Sequence, residues 1–262
     1  MGLEVRTVTA TRYVTPLREG GSLPAIVEAD DDGLYVLKFR GAGQGPKALI
    51  AELVAGEIGR ALGLPVPEIV FVELDAALAG TEPDPEIQDL LKASTGLNLA
   101  LDFLPGSVMY DPLVEKIEPA LASAVVWFDA YVTNVDRTPR NANLLMWHKK
   151  LWLIDHGAAL YFHHTWTNYM EKSRGAFELI REHVLLSSAT MIKEVDASLS
   201  ERLMQEVIND IVALIPDAWL ATDTMFKSPV DARRAYAGYL SRRLESPRLF
   251  AEEAERARAS RI

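Results

Sequence analysis

The chain has 262 residues, of which 49% are apolar and 24% charged, a composition typical of a soluble globular protein with a sizeable core. Its 27 basic and 37 acidic residues give a net charge of −10, which disfavours non-specific binding to nucleic acid. The lack of cysteine excludes disulfides, cysteine-ligated metals and thiol catalysis. Residues 1–6 lack a basic and apolar leader, and no apolar run approaches the ~20 residues that span a bilayer, so we expect a cytoplasmic protein without a membrane span.

The first part of the chain is predominantly β-like. Its apolar spacing predicts one helix over residues 47–62, which ends at Gly63, and a second, short helix that begins at Asp84-Pro85 and ends before Gly96. Alternating or β-branched stretches separated by turn residues predict strands over residues 3–14, 25–29, 34–39, 66–74 and 97–104.

The second part is mostly helical and contains one β-hairpin. The hairpin is predicted over residues 143–147 and 151–154. Helical periodicity predicts helices over residues 118–132, 176–186, 201–215, 230–243 and 249–259. We therefore predict an α+β, bilobal fold, with a β-rich N-terminal lobe over residues 1–104 and a mainly helical C-terminal lobe over residues 105–262.

Two polar sequences flank the predicted hairpin. Asp136 and Asn141 lie in the loop before it, and Asp155 follows its second strand directly, next to His156 and Gly157. Carboxylate and amide oxygens are ligands that Mg²⁺ prefers, so the three side chains would form one oxygen-rich cluster. The Asp136–Asn141 spacing alone is a weak signal, because a helix-capping turn would look the same.

Lys38 lies in the middle of an apolar predicted strand. An unpaired buried ammonium is costly, so Lys38 either reaches water or meets an anion. Glu52 on the next helix is the preferred partner, because it shares a helix face with Gly56 and Gly59, where the missing side chains let the helix approach the sheet closely.

In this order, the strand lysine, the helix glutamate, the Asp-x-x-x-x-Asn loop, the hairpin and the Asp-x-Gly sequence resemble the protein-kinase-like fold. A closer resemblance is to the HipA-like kinases. It is found in the loop at 136–141, in the sequence at 154–157 and in the helix end at 61–67. The loop also resembles that of phosphatidylinositol kinases. The resemblance covers roughly residues 13–160.

The resemblance implies an ATP- and Mg²⁺-dependent phosphotransferase, most simply a serine/threonine protein kinase. Asp136 would be the general base, Lys38 would contact the phosphates while Glu52 holds it, and Asn141 and Asp155 would bind Mg²⁺. The resemblance also implies two elements that contact the nucleotide. The phosphate-covering loop would contain Gly20, Gly21 and Ser22, and the adenine-binding hinge would contain Leu101, Asp102, Phe103 and Leu104.

The sequence departs from ordinary protein kinases in two ways. Asn134-Val135 precedes Asp136 in place of His-Arg, and Thr138 stands where lysine is usual, so Arg140 or Arg137 would supply positive charge to the transferred group. No Ala-Pro-Glu sequence follows Asp155, so the acceptor could be a protein, a lipid or a small molecule.

Other functions fit parts of the sequence. A nucleotide-binding scaffold without turnover would carry the same residues. Residues 41–48 resemble a phosphate-binding loop, but they miss its spacing, and Pro46 removes a backbone donor, which favours a connector. Metal-dependent hydrolysis could use His148, His156, His163 and His164, although these lack the helical spacing of a zinc site.

Overall fold

A computed structural model describes residues 3–17, 23–43 and 45–261. Within these residues the strands are β1 (Thr7–Pro16), β2 (Ala25–Ala29), β3 (Leu34–Lys38), β4 (Ile69–Leu74), β5 (Gly96–Asp102), β6 (Val108–Met109), β7 (Leu144–Trp147) and β8 (Lys150–Leu153). The helices are α1 (Pro46–Ala61), α2 (Pro85–Ala93), α3 (Pro119–Tyr131), α4 (Tyr169–Lys172), α5 (Ile192–Arg202), α6 (Gln205–Ala213), α7 (Asp217–Leu220), α8 (Pro229–Arg243) and α9 (Leu249–Ala259).

The first five strands form a closed barrel in the order β1-β2-β3-β5-β4. Most neighbours are antiparallel, but β1 and β4 pair in parallel, with Thr7 opposite Phe71. Alternate residues of β2 point inward and are buried, as the period of a strand requires. The barrel has its own apolar interior, which includes Val27, Leu37 and Val70.

Helix α1 leaves the barrel after β3 and is enclosed by apolar residues. Every residue from Leu49 to Gly59 is buried. Such burial is unusual, since a surface helix normally keeps one polar face in water. The helix ends before Gly63, whose φ of 79° is readily adopted only by glycine, as the sequence predicts.

The larger apolar core packs α1 together with the C-terminal helices. It contains Leu53 and Ile58 of α1, Trp127 of α3 and Tyr236 of α8. This core crosses residue 104, so the division into lobes at 1–104 and 105–262 stays a prediction. Within the described ranges, no helix is both long and apolar enough to cross a membrane.

A second, small sheet has the order β6-β7-β8. The predicted hairpin is present, with Leu145 opposite Trp152. Its turn places His148 and Lys149 at φ of 47° and 62°, the left-handed pair that closes a two-residue hairpin with the twist of its strands. The hairpin brings the end of the loop that precedes it next to the residues that follow it, because the Ile154 N–H donates to the Asn143 carbonyl at 3.1 Å.

Three predicted elements in the helical part and at the hinge are wrong in detail. The helix predicted over residues 176–186 is replaced by the 3₁₀ turns Glu178–Glu182 and Leu186–Ser188, because His183 turns inward to bind Asp129 and the Val184 N–H donates to the Arg137 carbonyl. The helix predicted over residues 201–215 is divided between α5 and α6. Strand β5 ends at Asp102 rather than at residue 104.

Candidate active site

Lys38 lies between two carboxylates from different parts of the chain. Its Nζ is 2.6 Å from Glu52 Oε2 on α1 and 2.5 Å from Asp155 Oδ1, directly after β8 and Ile154. The Lys38 side chain is 13% exposed, that of Glu52 is fully buried, and that of Asp155 is 45% exposed. Burial alone would lower the pKa of Lys38, but the charges of Glu52 and Asp155 raise it above its ordinary value, so the lysine is cationic.

Glu52 also binds the segment that follows β8. Its Oε2 accepts the His156 backbone N–H at 2.8 Å, and its Oε1 lies 3.2 Å from the His156 Nδ1. Burial would raise the pKa of Glu52, but the Lys38 charge and the His156 contacts lower it, so the carboxylate stays ionised. Glu52 therefore fixes both the strand lysine and the position of Asp155.

The predicted close approach of α1 to the barrel is present. A Cβ on Gly56 would lie 2.4 Å from Ile69 Cδ1 at the start of β4, and one on Gly59 would lie 3.0 Å from Val66 Cγ2. Larger residues at these positions would push α1, and with it Glu52, away from the sheet.

Asp136 lies in the loop before the hairpin and is half-buried. Its Oδ2 accepts hydrogen bonds from the Nδ2 of Asn141 at 2.7 Å and of Asn143 at 3.3 Å. Burial, followed by the negative charge of Asp155, raises the pKa of Asp136, while the two asparagines oppose the shift. A carboxylate with a raised pKa is a better proton acceptor than an ordinary aspartate.

The backbone explains why short polar residues occupy two of these positions. Asn143 has φ of 49° and Asp155 has φ of 54°. Asn and Asp adopt this left-handed region more readily than other residues with a side chain. The two turns direct the chain into and out of the hairpin, so the local conformation and the candidate chemistry depend on the same residues.

A buried network that the sequence pattern does not predict supports the loop that carries Asp136. Asp129 near the end of α3 accepts hydrogen bonds from Arg137 Nε at 2.6 Å, from Asn134 Nδ2 at 2.8 Å and from His183 Nε2 at 2.9 Å. Burial would raise the pKa of Asp129, but the Arg137 charge and the His183 hydrogen bond lower it. Asp129 is the sole charged residue in the sequence of α3. A lone charge in an apolar helix indicates that the side chain is buried with a partner, and this is the signal by which the sequence could have revealed the network.

Arg137 is a scaffold residue and cannot supply charge to a substrate. It is 1% exposed, and its Nη1 donates to the carbonyl oxygens of Asn143 and Ile154. The expectation that either Arg137 or Arg140 faces the transferred group is therefore corrected for Arg137. Arg140 is exposed at the tip of the same loop.

The predicted hinge has fewer free backbone donors than expected. The N–H groups of Asp102 and Phe103 donate to backbone carbonyls of other segments at 2.8 and 3.0 Å. The Leu104 N–H has no acceptor within the described part of the chain, and the side chains of Leu101 and Leu104 are buried. The predicted phosphate-covering residues Gly20, Gly21 and Ser22 lie outside the described residues.

The oxygen donors fit a hard divalent cation. Asn141 uses its Nδ2 toward Asp136, which leaves its carbonyl oxygen as a ligand, and Asp155 has a second oxygen that Lys38 does not contact in the described structure. The negative charges of Asp136 and Asp155 repel each other, and a bound cation would lower this repulsion. Asn141 and Asp155 would hold this ion.

The alternative sites lack the geometry that they need. Among the described residues, no three His, Asp or Glu side chains lie close enough together to hold a metal. His163 contacts Tyr236, with its Nδ1 3.0 Å from the hydroxyl group. Lys47, at the end of the sequence that resembles a phosphate-binding loop, instead contacts Asp223 at 3.0 Å.

The comparison with known proteins decides the family. The sequence matches the family described as HipA-like kinase over residues 11–251. The chain belongs to the HipA-like kinase family. This match confirms the resemblance and identifies the chain as a phosphotransferase of kinase type. No curated protein sequence matches this HipA-like kinase.

Solved structures show the fold of this HipA-like kinase. The proinflammatory kinase CtkA of Helicobacter pylori is 14% identical, with a TM-score of 0.54 over 97% of this chain and 99% of CtkA. The Golgi casein kinase with Mn/ADP bound is 12% identical, with a TM-score of 0.52 over 98% of this chain and 74% of that kinase. The predicted α+β, bilobal, protein-kinase-like fold is confirmed.

Proposed function

We propose that this HipA-like kinase transfers the γ-phosphoryl group of ATP to a serine or threonine hydroxyl of a protein, with Mg²⁺ as its cofactor. The observation that carries the proposal is the position of Lys38 between Glu52 and Asp155, at 2.6 and 2.5 Å. This contact joins the barrel, α1 and the segment after the hairpin around one half-exposed carboxylate. The Golgi casein kinase, which shares the fold, was solved with Mn and ADP, which supports a nucleotide and a divalent cation here.

In the proposed reaction, Asp136 accepts the proton of the acceptor hydroxyl group as that oxygen bonds to the γ-phosphorus and ADP leaves. Its raised pKa suits this step. Asn141 and Asn143 orient the carboxylate through Oδ2, so Oδ1 is directed to the acceptor.

Lys38 neutralises negative charge on the phosphate groups, and Glu52 keeps it in place. Asn141 and Asp155 hold Mg²⁺, which when bound supplies positive charge to the phosphate oxygens. Arg140 adds charge from the exposed side of the loop. The Leu104 N–H is the hinge donor for adenine, flanked by Leu101, Asp102 and Phe103.

The test measures transfer from γ-labelled ATP, with and without Mg²⁺, to a mixture of protein acceptors. Asp136→Asn keeps the size of the side chain and is expected to reduce transfer by about 10²–10⁴-fold while ATP affinity changes little. The matched control is Asp111→Asn, since the exposed Asp111 carboxylate accepts a local backbone N–H from Leu113 and lies outside the proposed site. Unchanged transfer by Asp136→Asn would overturn its role as the base.

The same assay separates the other candidates. Label on serine or threonine of a protein supports the proposal, and label on a lipid or a small molecule replaces the acceptor class. ATP binding without any transfer would identify a non-catalytic nucleotide-binding scaffold.

A further inference from the structure

The start of α1 is tied to the C-terminal part of the chain. Lys47 Nζ donates to the His163 carbonyl at 2.7 Å and lies 3.0 Å from Asp223 Oδ2. Asp223 is itself held, because Oδ2 accepts the Trp166 indole N–H at 2.8 Å and Oδ1 accepts the Met225 N–H at 3.0 Å. The side chains of Lys47 and Asp223 are only 26% and 16% exposed.

Lys47 does not stabilise α1 as an isolated helix. It lies in the first turn, where the partial positive charge of the helix end disfavours a cation, and this turn has neither an acidic residue nor a side-chain cap. Burial would raise the pKa of Asp223, but the hydrogen bonds from Met225, Trp166 and Lys47 lower it, so the carboxylate is ionised. The benefit of Lys47 therefore comes from its contact with the distant segment.

The other end of α1 has a similar contact. Arg202, the last residue of α5, donates from Nη1 to the Leu62 carbonyl at 2.7 Å. The Trp219 indole of α7, which lines one pocket with Lys47 and Ile50 near the start of α1, donates to the Leu97 carbonyl of β5 at 3.3 Å. It also packs edge-on against Phe71 of β4, with ring centroids 5.7 Å apart. The contacts of Lys47 with Asp223 and of Arg202 with Leu62 are called the α1 brace below.

Between the two braced ends, α1 has no side that water covers. The buried stretch from Leu49 to Gly59 contains Glu52, and the apolar core encloses it from the barrel side and from the C-terminal side. Outward movement of α1 would expose this surface and separate Glu52 from Lys38, so it is costly.

From these contacts we infer that the C-terminal part of the chain, acting through the α1 brace, holds Glu52 against Lys38 without help from a bound nucleotide. Lys47 and Asp223 are thus positioning residues for phosphoryl transfer, and this inference rests on the proposed function. A kinase built in this way has its lysine–glutamate pair assembled without phosphorylation of another segment. The C-terminal part of the chain thus acts as an intramolecular activator.

The test compares two aspartates with matched surroundings. Asp223→Asn breaks the ion pair with Lys47, whereas Asp196→Asn breaks an ion pair with Arg248 that does not involve α1. Both aspartates accept an indole N–H, Asp196 from Trp127 at 2.7 Å, and both pairs are similarly buried, with Asp196 and Arg248 22% and 20% exposed. A general effect of losing such a pair appears equally in both variants.

The first measurement is hydrogen–deuterium exchange of the α1 amides in the nucleotide-free protein. We expect Asp223→Asn to speed exchange in α1 by about tenfold and Asp196→Asn to leave it unchanged. Lys47→Met should reproduce the effect, and Lys47→Arg should restore protection because it keeps the cation. Equal exchange in Asp223→Asn and Asp196→Asn would overturn the inference.

The second measurement is the KM for ATP and kcat of the same variants. Looser α1 is expected to raise the KM for ATP about tenfold, with kcat less affected, because Lys38 must be repositioned when the phosphates bind. Wild-type protein that transfers no phosphoryl group would overturn the proposed function, while exchange alone would still decide the brace. Wild-type transfer with equal KM values in both Asn variants would overturn the inference alone.

Discussion

Among the described residues, two carboxylates are fully buried, and their surroundings make a direct comparison. Glu52 and Asp129 each pair with one cation and one histidine: Lys38 and His156 for Glu52, Arg137 and His183 for Asp129. The difference lies in the cation. Lys38 is partly exposed and also contacts the half-exposed Asp155, whereas Arg137 is buried and bound to backbone carbonyls.

This difference distinguishes the network of the candidate site, around Glu52, from the network that supports the loop, around Asp129. An ammonium group with a flexible stem can exchange one carboxylate for a phosphate, so the contact between Lys38 and Asp155 is replaceable. A guanidinium group that is fixed by a carboxylate and by carbonyls in different segments cannot be exchanged without unfolding them. The Asp129 network therefore shapes the loop, and the Glu52 network holds a partly exposed ammonium group beside a half-exposed carboxylate.

The largest expected effect is on stability, at Asp129. Asp129→Ala leaves the Arg137 guanidinium buried without its carboxylate, which is expected to reduce the free energy of unfolding by about 3–5 kcal/mol. Chemical denaturation measures this loss. The control is Asp89→Ala, whose exposed pair with Lys92 should matter little. Similar losses in the two variants would contradict the scaffold role of Asp129.

The next effect is on activity, at Lys38. Lys38→Met is expected to lower kcat/KM for ATP by about 10²–10³-fold, because a charge at the phosphates is lost. Its stability should also fall, because the buried Glu52 loses its cation, but less than that of Asp129→Ala, since Glu52 keeps the His156 N–H and Asp155 is 45% exposed. Steady-state kinetics and denaturation of the same preparation test both parts. A large loss of stability with normal kinetics would mean that Lys38, like Arg137, supports the fold and does not act on the phosphates.

The pH dependence of the free energy of unfolding isolates the contribution of Asp129 to stability. The Arg137 charge and the His183 hydrogen bond lower the pKa of Asp129 against the effect of burial, so the unfolded chain binds a proton more readily than the folded one. The stabilisation is present above the ordinary value of 3.8 and is lost as the pH falls below it. In Asp129→Asn, the free energy of unfolding should depend less on pH in this range. An unchanged slope would show that Asp129 has an ordinary pKa in the folded state.

The smallest effect concerns the position of α1. Gly56→Ala places a methyl group against Ile69, so the gain in helix propensity of about 1 kcal/mol should be cancelled or reversed. Gly238→Ala in α8 is the matched helical control, because its new Cβ meets Met170 only at 3.8 Å and should stabilise the fold. Thermal unfolding compares them. Equal stabilisation by both alanines would mean that α1 has room to move.

Local sequence patterns predicted the parts of the site that depend on chain order. The strand with Lys38, the helix with Glu52 and the hairpin that separates Asn141 from Asp155 follow from periodicity and turn residues, and the structure contains all three. The Lys38–Glu52 pairing could be predicted because the glycines on the face of α1 that carries Glu52 mark where it approaches the sheet.

Long-range contacts explain what the sequence could not predict. The inward turn of His183 toward Asp129 replaced a predicted helix by short 3₁₀ turns, and no local pattern announces a partner 54 residues away. Arg137 and Arg140 look equivalent in the sequence, yet one is buried and the other exposed. The sequence likewise does not show that the N–H groups of Asp102 and Phe103, in the predicted hinge, donate to carbonyls of other segments.

The enclosed α1 also has a consequence for synthesis of the protein. The segments that contact the ends of α1 are synthesised late. Lys47 contacts His163, 116 residues later in the sequence, and Leu62 contacts Arg202, 140 residues later. Until those segments leave the ribosome, a helix that the finished fold buries on nearly every side has only the barrel to cover it. Contacts so distant in sequence form slowly, and exposed apolar surface promotes aggregation in the meantime. The nascent chain is therefore most exposed to misfolding after the barrel has formed and before the last helices are made.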